Sequence, residues 1–251
     1  MRAIDLNADL GETVDGVPTA DDEAMFALIS SASVACGGHA GDAASMAASV
    51  ERAARFGVAI GAHPSYPDRA GFGRSALRIE PAALSASIAE QLAALVGVGA
   101  EVRYVKPHGA LYHAAGRDPL VARAVVRPVA ALAERLGRPL PILALGDALR
   151  DAAREAGLPF IREAFLDRGY RADGALVPRG EPGDLLRDPD AVAAQALSLA
   201  RDSRVTAVDG TVVETDAASL CLHGDSPGAV ALGRAVRRAL DDAGVPVRAS
   251  W

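Results

Sequence analysis

Short apolar segments alternate with longer amphipathic segments along the whole chain. Each apolar segment ends at a glycine, a proline or a polar cluster, and the segment that follows repeats its apolar residues with helical spacing. The clearest helical patterns cover 43–54, 84–95 and 229–240. We identify about seven such units, with a weaker hairpin between 205 and 213. The predicted strands are 4–7, 33–35, 58–62, 102–105, 142–145, 160–164 and 220–222.

Parallel strands joined by helices form either a closed (β/α) barrel or an open doubly wound sheet. The chain has 251 residues, which is typical of a barrel. No change in composition marks a linker, so we predict an α/β fold with one (β/α) barrel domain over 1–251. The long connection 64–78 is expected to cross one rim of this barrel.

Capping residues predict where several helices begin and end. Asp42 lies at an N-cap position, Pro81 in a first helical turn and Gly137 at a helix end. Ser226 and Pro227 are predicted to be the N-cap and first turn of the last helix.

Composition excludes several classes of function. The chain carries 26 basic and 32 acidic side chains, a formal charge of −6, and no basic stripe, which argues against nucleic acid as a partner. No apolar run approaches the ~18 residues of a membrane span, and Asp5 and Asp9 interrupt any signal-peptide core. We therefore expect a cytoplasmic protein that does not bind membranes. Cys36 and Cys221 are far apart and are predicted to be buried free thiols.

Four of the 5 histidines lie at the carboxyl ends of predicted strands: His39, His63, His108 and His223. These ends meet at one rim of a parallel barrel, so the four side chains are expected to converge on one site. In the first strand, a period of two places Asp5, Asn7 and Asp9 on one face. Carboxylates inside a barrel need cations, hydrogen-bond donors or a metal ion.

Lys106 is the only lysine among the 26 basic residues, and it shares a strand face with His108. Two adjacent positive charges would lower each other's pKa, which suits acid–base chemistry near neutral pH. The glycines between Cys36 and Asp42, just before a helix, predict an anion site around His39. Further polar residues fall at or near the same rim, namely Arg74, Glu163, Asp167 and Asp225.

Two common catalytic motifs are missing from the sequence. No GxxxxGK[ST] phosphate loop occurs, because the only lysine precedes a proline, and no GxSxG motif occurs. The sequence therefore shows no recognisable site for a nucleoside triphosphate.

Six segments together resemble the LamB/YcsF family: DLNADLGE, SASVACGGHAGD, IGAHPSYPDRAGFGR, VKPHGALYH, FLDRGYRADGALVPRG and LCLHGDSPGA. The resemblance implies a (β/α)7-type barrel similar to those of glycoside hydrolases and polysaccharide deacetylases. It also implies the role of the A subunit in an ATP-dependent 5-oxoprolinase, which opens 5-oxo-L-proline to L-glutamate with subunits B and C. ATP would then be a co-substrate bound mainly by the partner subunits.

The resemblance suggests roles for the rim residues. Asp9 or His63 would activate water, and His108 or His223 would protonate the leaving ring nitrogen. Lys106, Arg74 and the turn around His39 would bind phosphate or carboxylate. The remaining predicted substrate-binding residues are Asn7, Glu163, Asp167 and Asp225.

Two other functions stay open at this point. A metal-dependent amide or polysaccharide deacetylase would use Asp9, His39 and His63 to hold a divalent ion. A non-catalytic module that binds a carbohydrate or a lactam would use the same rim without turnover.

Overall fold

Seven parallel strands close into a barrel, as predicted. The computed structural model describes residues 2–226 and 228–251. The barrel strands are β1 Asp5–Leu10, β4 Ser31–Ala35, β5 Ala59–His63, β6 Val102–Val105, β7 Ile142–Ala144, β8 Phe160–Phe165 and β11 Ser219–Cys221. They follow the spatial order β1-β11-β8-β7-β6-β5-β4, with β4 pairing back onto β1. Two hairpins lie outside it: β2 Thr13–Val14 with β3 Val17–Pro18, and β9 Arg204–Thr206 with β10 Val212–Glu214, the latter at the predicted position.

The helices surround the barrel and bury their apolar faces on it. In the helix Pro81–Gly97, Leu84, Ile88, Leu92 and Leu95 are all buried, as the helical spacing predicts. No helix within the described ranges is both long and apolar enough to cross a bilayer. The helices are α1 Asp22–Phe26, α2 Ala43–Phe56, α3 Pro81–Gly97, α4 Gly109–Arg117, α5 Pro119–Leu136, α6 Asp147–Glu155, α7 Pro189–Asp202 and α8 Ala229–Asp242.

Most of the predicted helix ends are confirmed. Asp42 caps α2 and forms a capping box with Ser45, Pro81 opens α3, and Gly137 ends α5 with a left-handed backbone. The start of α8 was predicted wrongly, because its N-cap is Gly228. Ser226 instead donates a hydrogen bond from Oγ to Asp167 at 2.8 Å, and Pro227 lies outside the described residues.

The barrel interior is polar at its amino-terminal end. Asp5 is buried and accepts hydrogen bonds from the hydroxyl groups of Ser30, Ser31 and Ser219. Burial raises the pKa of Asp5 to about 6, although these three hydroxyl donors favour the charged form.

This pKa predicts a pH-dependent stability term. The folded chain holds the Asp5 proton more tightly than the unfolded chain does, so the term is fully present below about pH 4 and is lost as the pH rises to about 6. Asp5→Asn should remove it, a change of about 3 kcal/mol across that window at ~1.4 kcal/mol per pKa unit. Urea unfolding at pH 4 to 7 measures the difference from wild type. Asp242→Asn, on the exposed end of α8, is the control, and a difference that does not vary with pH would contradict the assignment.

Two backbone segments, at Gly116 and Gly146, pack closely against each other near β7. Gly146 precedes α6, and a Cβ added there would overlap the Gly116 Cα in α4. Backbone cannot move aside cheaply, so Gly146→Ala should cost roughly 1–3 kcal/mol of unfolding free energy. Gly97→Ala is the matched control, since a Cβ there meets open space and should stabilise α3 by about 0.4–1 kcal/mol. Equal urea midpoints for the two variants would refute this packing.

Candidate functional site

The structure brings all four rim histidines to the carboxyl-terminal mouth of the barrel. The His39 and His108 rings stack with centroids 3.7 Å apart, and His63 lies edge-on to His108 at 4.9 Å. His223 lies close to Asp9, since potential ligand atoms of Asp9, Cys221 and His223 come within 4.8 Å of one another. The side chains that the sequence places far apart therefore form one continuous polar site.

Glu12 is a member of this site that the sequence analysis missed. Its Oε1 atom lies 2.9 Å from His39 Nε2 and 3.6 Å from His108 Nδ1. By strand alternation Glu12 would face away from Asp9, but Gly11, with φ +69°, turns the chain just after β1. The sequence feature that could have indicated the position of Glu12 is the glycine at the end of the strand, directly before this acidic residue.

The hydrogen bond between Glu12 and His39 joins two neutral groups near pH 7. Burial raises the pKa of Glu12 to about 8, and the neighbouring Asp9 charge adds to this effect. Burial also lowers the pKa of His39 to about 2, with a further contribution from His63. The 2.9 Å contact is therefore a neutral hydrogen bond and not an ion pair.

Lys106 is buried in the centre of the barrel between two carboxylates. Its Nζ atom lies 2.9 Å from both Asp9 Oδ1 and Glu163 Oε1, and 3.0 Å from both Asn7 Oδ1 and Cys221 Sγ. These four atoms are the polar contacts of the ammonium group. In this structure Lys106 thus compensates charge and positions Asp9, Asn7 and Glu163.

The predicted lowering of the Lys106 pKa was wrong. Burial does favour the neutral amine, but the negative charge of Asp9, helped by Cys221 and Glu163, outweighs it and raises the pKa of Lys106 well above its usual range. The pKa of Asp9 is held well below its usual value, because His63 and Lys106 outweigh the effect of burial. Asp9 is therefore a carboxylate at neutral pH.

The pKa values of His108 and His223, the two predicted proton donors, are shifted in opposite directions. Burial, together with His39 and His63, lowers the pKa of His108 well below its usual value, so His108 is neutral. Burial also opposes protonation of His223, but the Asp167 carboxylate, 2.9 Å from Nδ1, outweighs it and raises the His223 pKa. His223 is therefore the better proton donor of the two near neutral pH.

The connection after β5 covers the mouth, as predicted. The Phe72 carbonyl oxygen lies 3.0 Å from His108 Nε2. Gly73, with φ +65°, passes so close that an added Cβ would meet His39 and His108 at 2.8 Å. Arg74 pairs with Asp225 at 2.5 Å, and its side chain is partly exposed. These two residues lie at the solvent side of the site.

In the glycine-rich turn after β4, several backbone groups already form hydrogen bonds within the protein. The Gly37 and Gly41 amides donate to the Ala40 and Thr13 carbonyl oxygens. Arg69 donates to the Gly37 and Gly41 carbonyl oxygens. These contacts fix the turn that carries His39, and they leave less of its backbone for the anion that the sequence predicted.

A separate cavity of about 860 Å³ lies on the flank of the barrel. Its lining includes Tyr112, Gly146, Asp147, Arg162 and Asp216, but none of the four rim histidines. The four rim histidines therefore lie outside this cavity, which is lined by the fifth histidine, His113.

Fold and site together define a (β/α)7 barrel protein with an acid–base site at the carboxyl-terminal mouth, where barrel enzymes carry their active sites. Residues 4–250 match the LamB/YcsF family, and the chain belongs to this family, as its motifs predicted. It is 49% identical to a protein named as the A subunit of 5-oxoprolinase from Chloroflexus aggregans over 253 residues, covering 99% of each chain. The protein of that name from Streptomyces griseus is also 49% identical, over 98% of this chain and 99% of its own. The solved structure of a lactam utilization protein from Thermus thermophilus is 41% identical, with a TM-score of 0.92 over 99% of this chain and 100% of that one.

Proposed function

We propose that this barrel opens the lactam ring of 5-oxo-L-proline to give L-glutamate, coupled to ATP hydrolysis and together with B and C subunits. The names of the relatives support this substrate and a multi-subunit enzyme. The observation that carries the chemistry is the ionised Asp9, which lies 3.4 Å from His63 and close to His223. The pKa of His223 is raised. A base and an acid thus lie within 4.8 Å of each other at one mouth.

An unstrained lactam is a poor electrophile, so its hydrolysis needs activation. In the proposed scheme the partner subunits use ATP to phosphorylate the lactam oxygen. Water then adds to the carbonyl carbon, the ring nitrogen takes a proton, and the carbon–nitrogen bond breaks to give an acyl phosphate. A second water hydrolyses that phosphate to L-glutamate. The missing phosphate-loop motif agrees with ATP binding mainly on the partners.

The geometry supports a division of roles among the rim residues. Asp9 accepts the proton of the attacking water, and Lys106, 2.9 Å away, holds it as a carboxylate. His223 donates the proton to the ring nitrogen. Arg74, at the solvent side, binds the carboxylate or phosphate of the substrate, and Asp225 orients the Arg74 guanidinium.

Reconstitution with the B and C subunits tests the proposal. We expect glutamate release from 5-oxoproline and ATP only when this chain is present. An equal rate of glutamate release without the chain would refute its role in ring opening.

A further inference from the structure

Two histidines in the site, His63 and His108, turn ring nitrogen atoms toward each other. His63 Nδ1 lies 2.7 Å from the Lys106 carbonyl oxygen, and His108 Nε2 lies 3.0 Å from the Phe72 carbonyl oxygen. A carbonyl oxygen only accepts hydrogen bonds, so both of these nitrogens carry the ring proton. In neutral imidazoles, His63 Nε2 and His108 Nδ1 then hold lone pairs, and these two atoms are 3.0 Å apart. Two facing lone pairs are stable only with a positive charge between or beside them.

The Glu12 carboxyl group and a third imidazole, that of His39, complete the group. Glu12 Oε1 lies 3.6 Å from His108 Nδ1 and 2.9 Å from His39 Nε2, and one donor atom from each of the four residues falls within 4.8 Å of the other three. A tetrahedral ion with bonds of ~2.1 Å separates its ligand atoms by about 3.4 Å. The observed separations of 2.9, 3.0 and 3.6 Å bracket that distance.

We infer that Glu12, His39, His63 and His108 form a binding site for one divalent transition-metal ion of the zinc class. Three imidazoles and one carboxylate, which Glu12 becomes when a bound ion displaces its proton, are ligands that suit zinc, and they are poor ligands for magnesium or calcium. The carbonyl contacts to His63 and His108 are the outer-shell hydrogen bonds that orient metal-binding imidazoles.

The ring planes of His39 and His108 differ by only 3°, so the His39 ring must tilt to direct its Nε2 atom at a shared ion. Its Nδ1 atom is buried and has no hydrogen-bond partner among the described residues, so no bond at that nitrogen opposes the tilt. His63, His108 and Glu12 supply the other three donors from their observed positions.

This ligand set differs from the predicted triad of Asp9, His39 and His63. Asp9 Oδ2 is 3.4 Å from His63 Nε2, but Asp9 Oδ1 contacts the Lys106 ammonium at 2.9 Å. A cation that already neutralises Asp9 makes it a weaker ligand than Glu12. Asp9 instead lies beside the ion, where it can receive a proton from a water molecule.

Metal binding by the full chain, measured without turnover, tests the inference independently of the proposed function. Chelator-treated protein is titrated with Zn²⁺ and with Co²⁺. We expect one equivalent to bind, with a rise in melting temperature and the visible absorption bands of tetrahedral Co²⁺. Loss of a residue that only orients a metal ligand weakens metal binding by about 10- to 100-fold. Glu12→Gln and His63→Gln should each weaken Zn²⁺ binding by more than this, because each removes a ligand.

His113→Gln is the matched control, because His113 is exposed on α4 and should not affect binding. Circular dichroism checks that each variant is folded, and if His63→Gln is not, Glu12→Gln decides the result. Less than stoichiometric binding would overturn the site, and so would unchanged affinity in folded Glu12→Gln. If His223→Gln loses Zn²⁺ binding and Glu12→Gln keeps it, the ion binds at Asp9, Cys221 and His223. That result would also overturn the proposed site.

Discussion

Replacing Lys106 with methionine is expected to lower the free energy of unfolding by about 3–5 kcal/mol, the usual cost of removing one partner from a buried ion pair. The ammonium is buried within 2.9 Å of both Asp9 and Glu163. Methionine fills a similar volume, so the loss would come mainly from two carboxylates left without a cation. Urea unfolding at pH 7 measures it, and the same variant should lose glutamate formation because Asp9 is no longer held in its charged position.

Two further variants test the cause of this loss. Adding Glu163→Gln to Lys106→Met removes one buried charge and should restore part of the stability, since glutamine still accepts from Asn7 Nδ2. Arg127→Met, on the exposed face of α5, removes a positive charge elsewhere and should change stability by no more than ~0.5 kcal/mol. A loss below about 1 kcal/mol in Lys106→Met would contradict the charge-compensation role.

Replacing His223 with glutamine is expected to lower the turnover rate of the reconstituted enzyme by about 10²–10⁴, the usual contribution of a general acid. Glutamine keeps much of the polar volume but cannot deliver the proton. In the proposed mechanism His223 acts in its protonated form, so activity should be lost as the pH rises through the raised pKa of His223. The rate of glutamate release against pH measures this basic limb.

Asp167→Asn separates this role from simple support of the fold. Asp167, Asp9, Lys106 and Cys221 are the charged or titratable groups near His223, and Asp167 contributes most to its raised pKa. Without the Asp167 charge, the pKa of His223 falls, so the basic limb should move to lower pH. A limb that stays in place in folded Asp167→Asn would exclude His223 as the acid.

Local patterning predicted the scaffold because the buried faces repeat regularly. The alternation in β1 placed Asp5, Asn7 and Asp9 in the interior, and the structure has all three there. The four-residue spacing of Leu84 and Ile88 indicated the buried face of α3. Such periodicity depends only on strand and helix geometry, which the sequence determines locally.

The site was harder to predict wherever the backbone leaves regular geometry. Glu12 follows the turn at Gly11, so strand alternation could not assign it to the interior. The pKa of Lys106 depends on Asp9 and Glu163, which are brought together only by closure of the barrel. Ser226 has the side chain of a helix cap but bonds to Asp167 across the mouth. Each of these depends on contacts between residues distant in sequence.

We propose that ring opening takes place at the mouth and not in the flank cavity. One comparison of two variants tests that proposal most directly. In the system reconstituted with B and C subunits, glutamate formation is measured for Asp9→Asn and for Asp147→Asn, whose side chain is 68% exposed and lines the flank cavity. We predict that Asp9→Asn loses activity by about 10²–10⁴ and that Asp147→Asn keeps it. Activity retained in folded Asp9→Asn and lost in Asp147→Asn would contradict the placement.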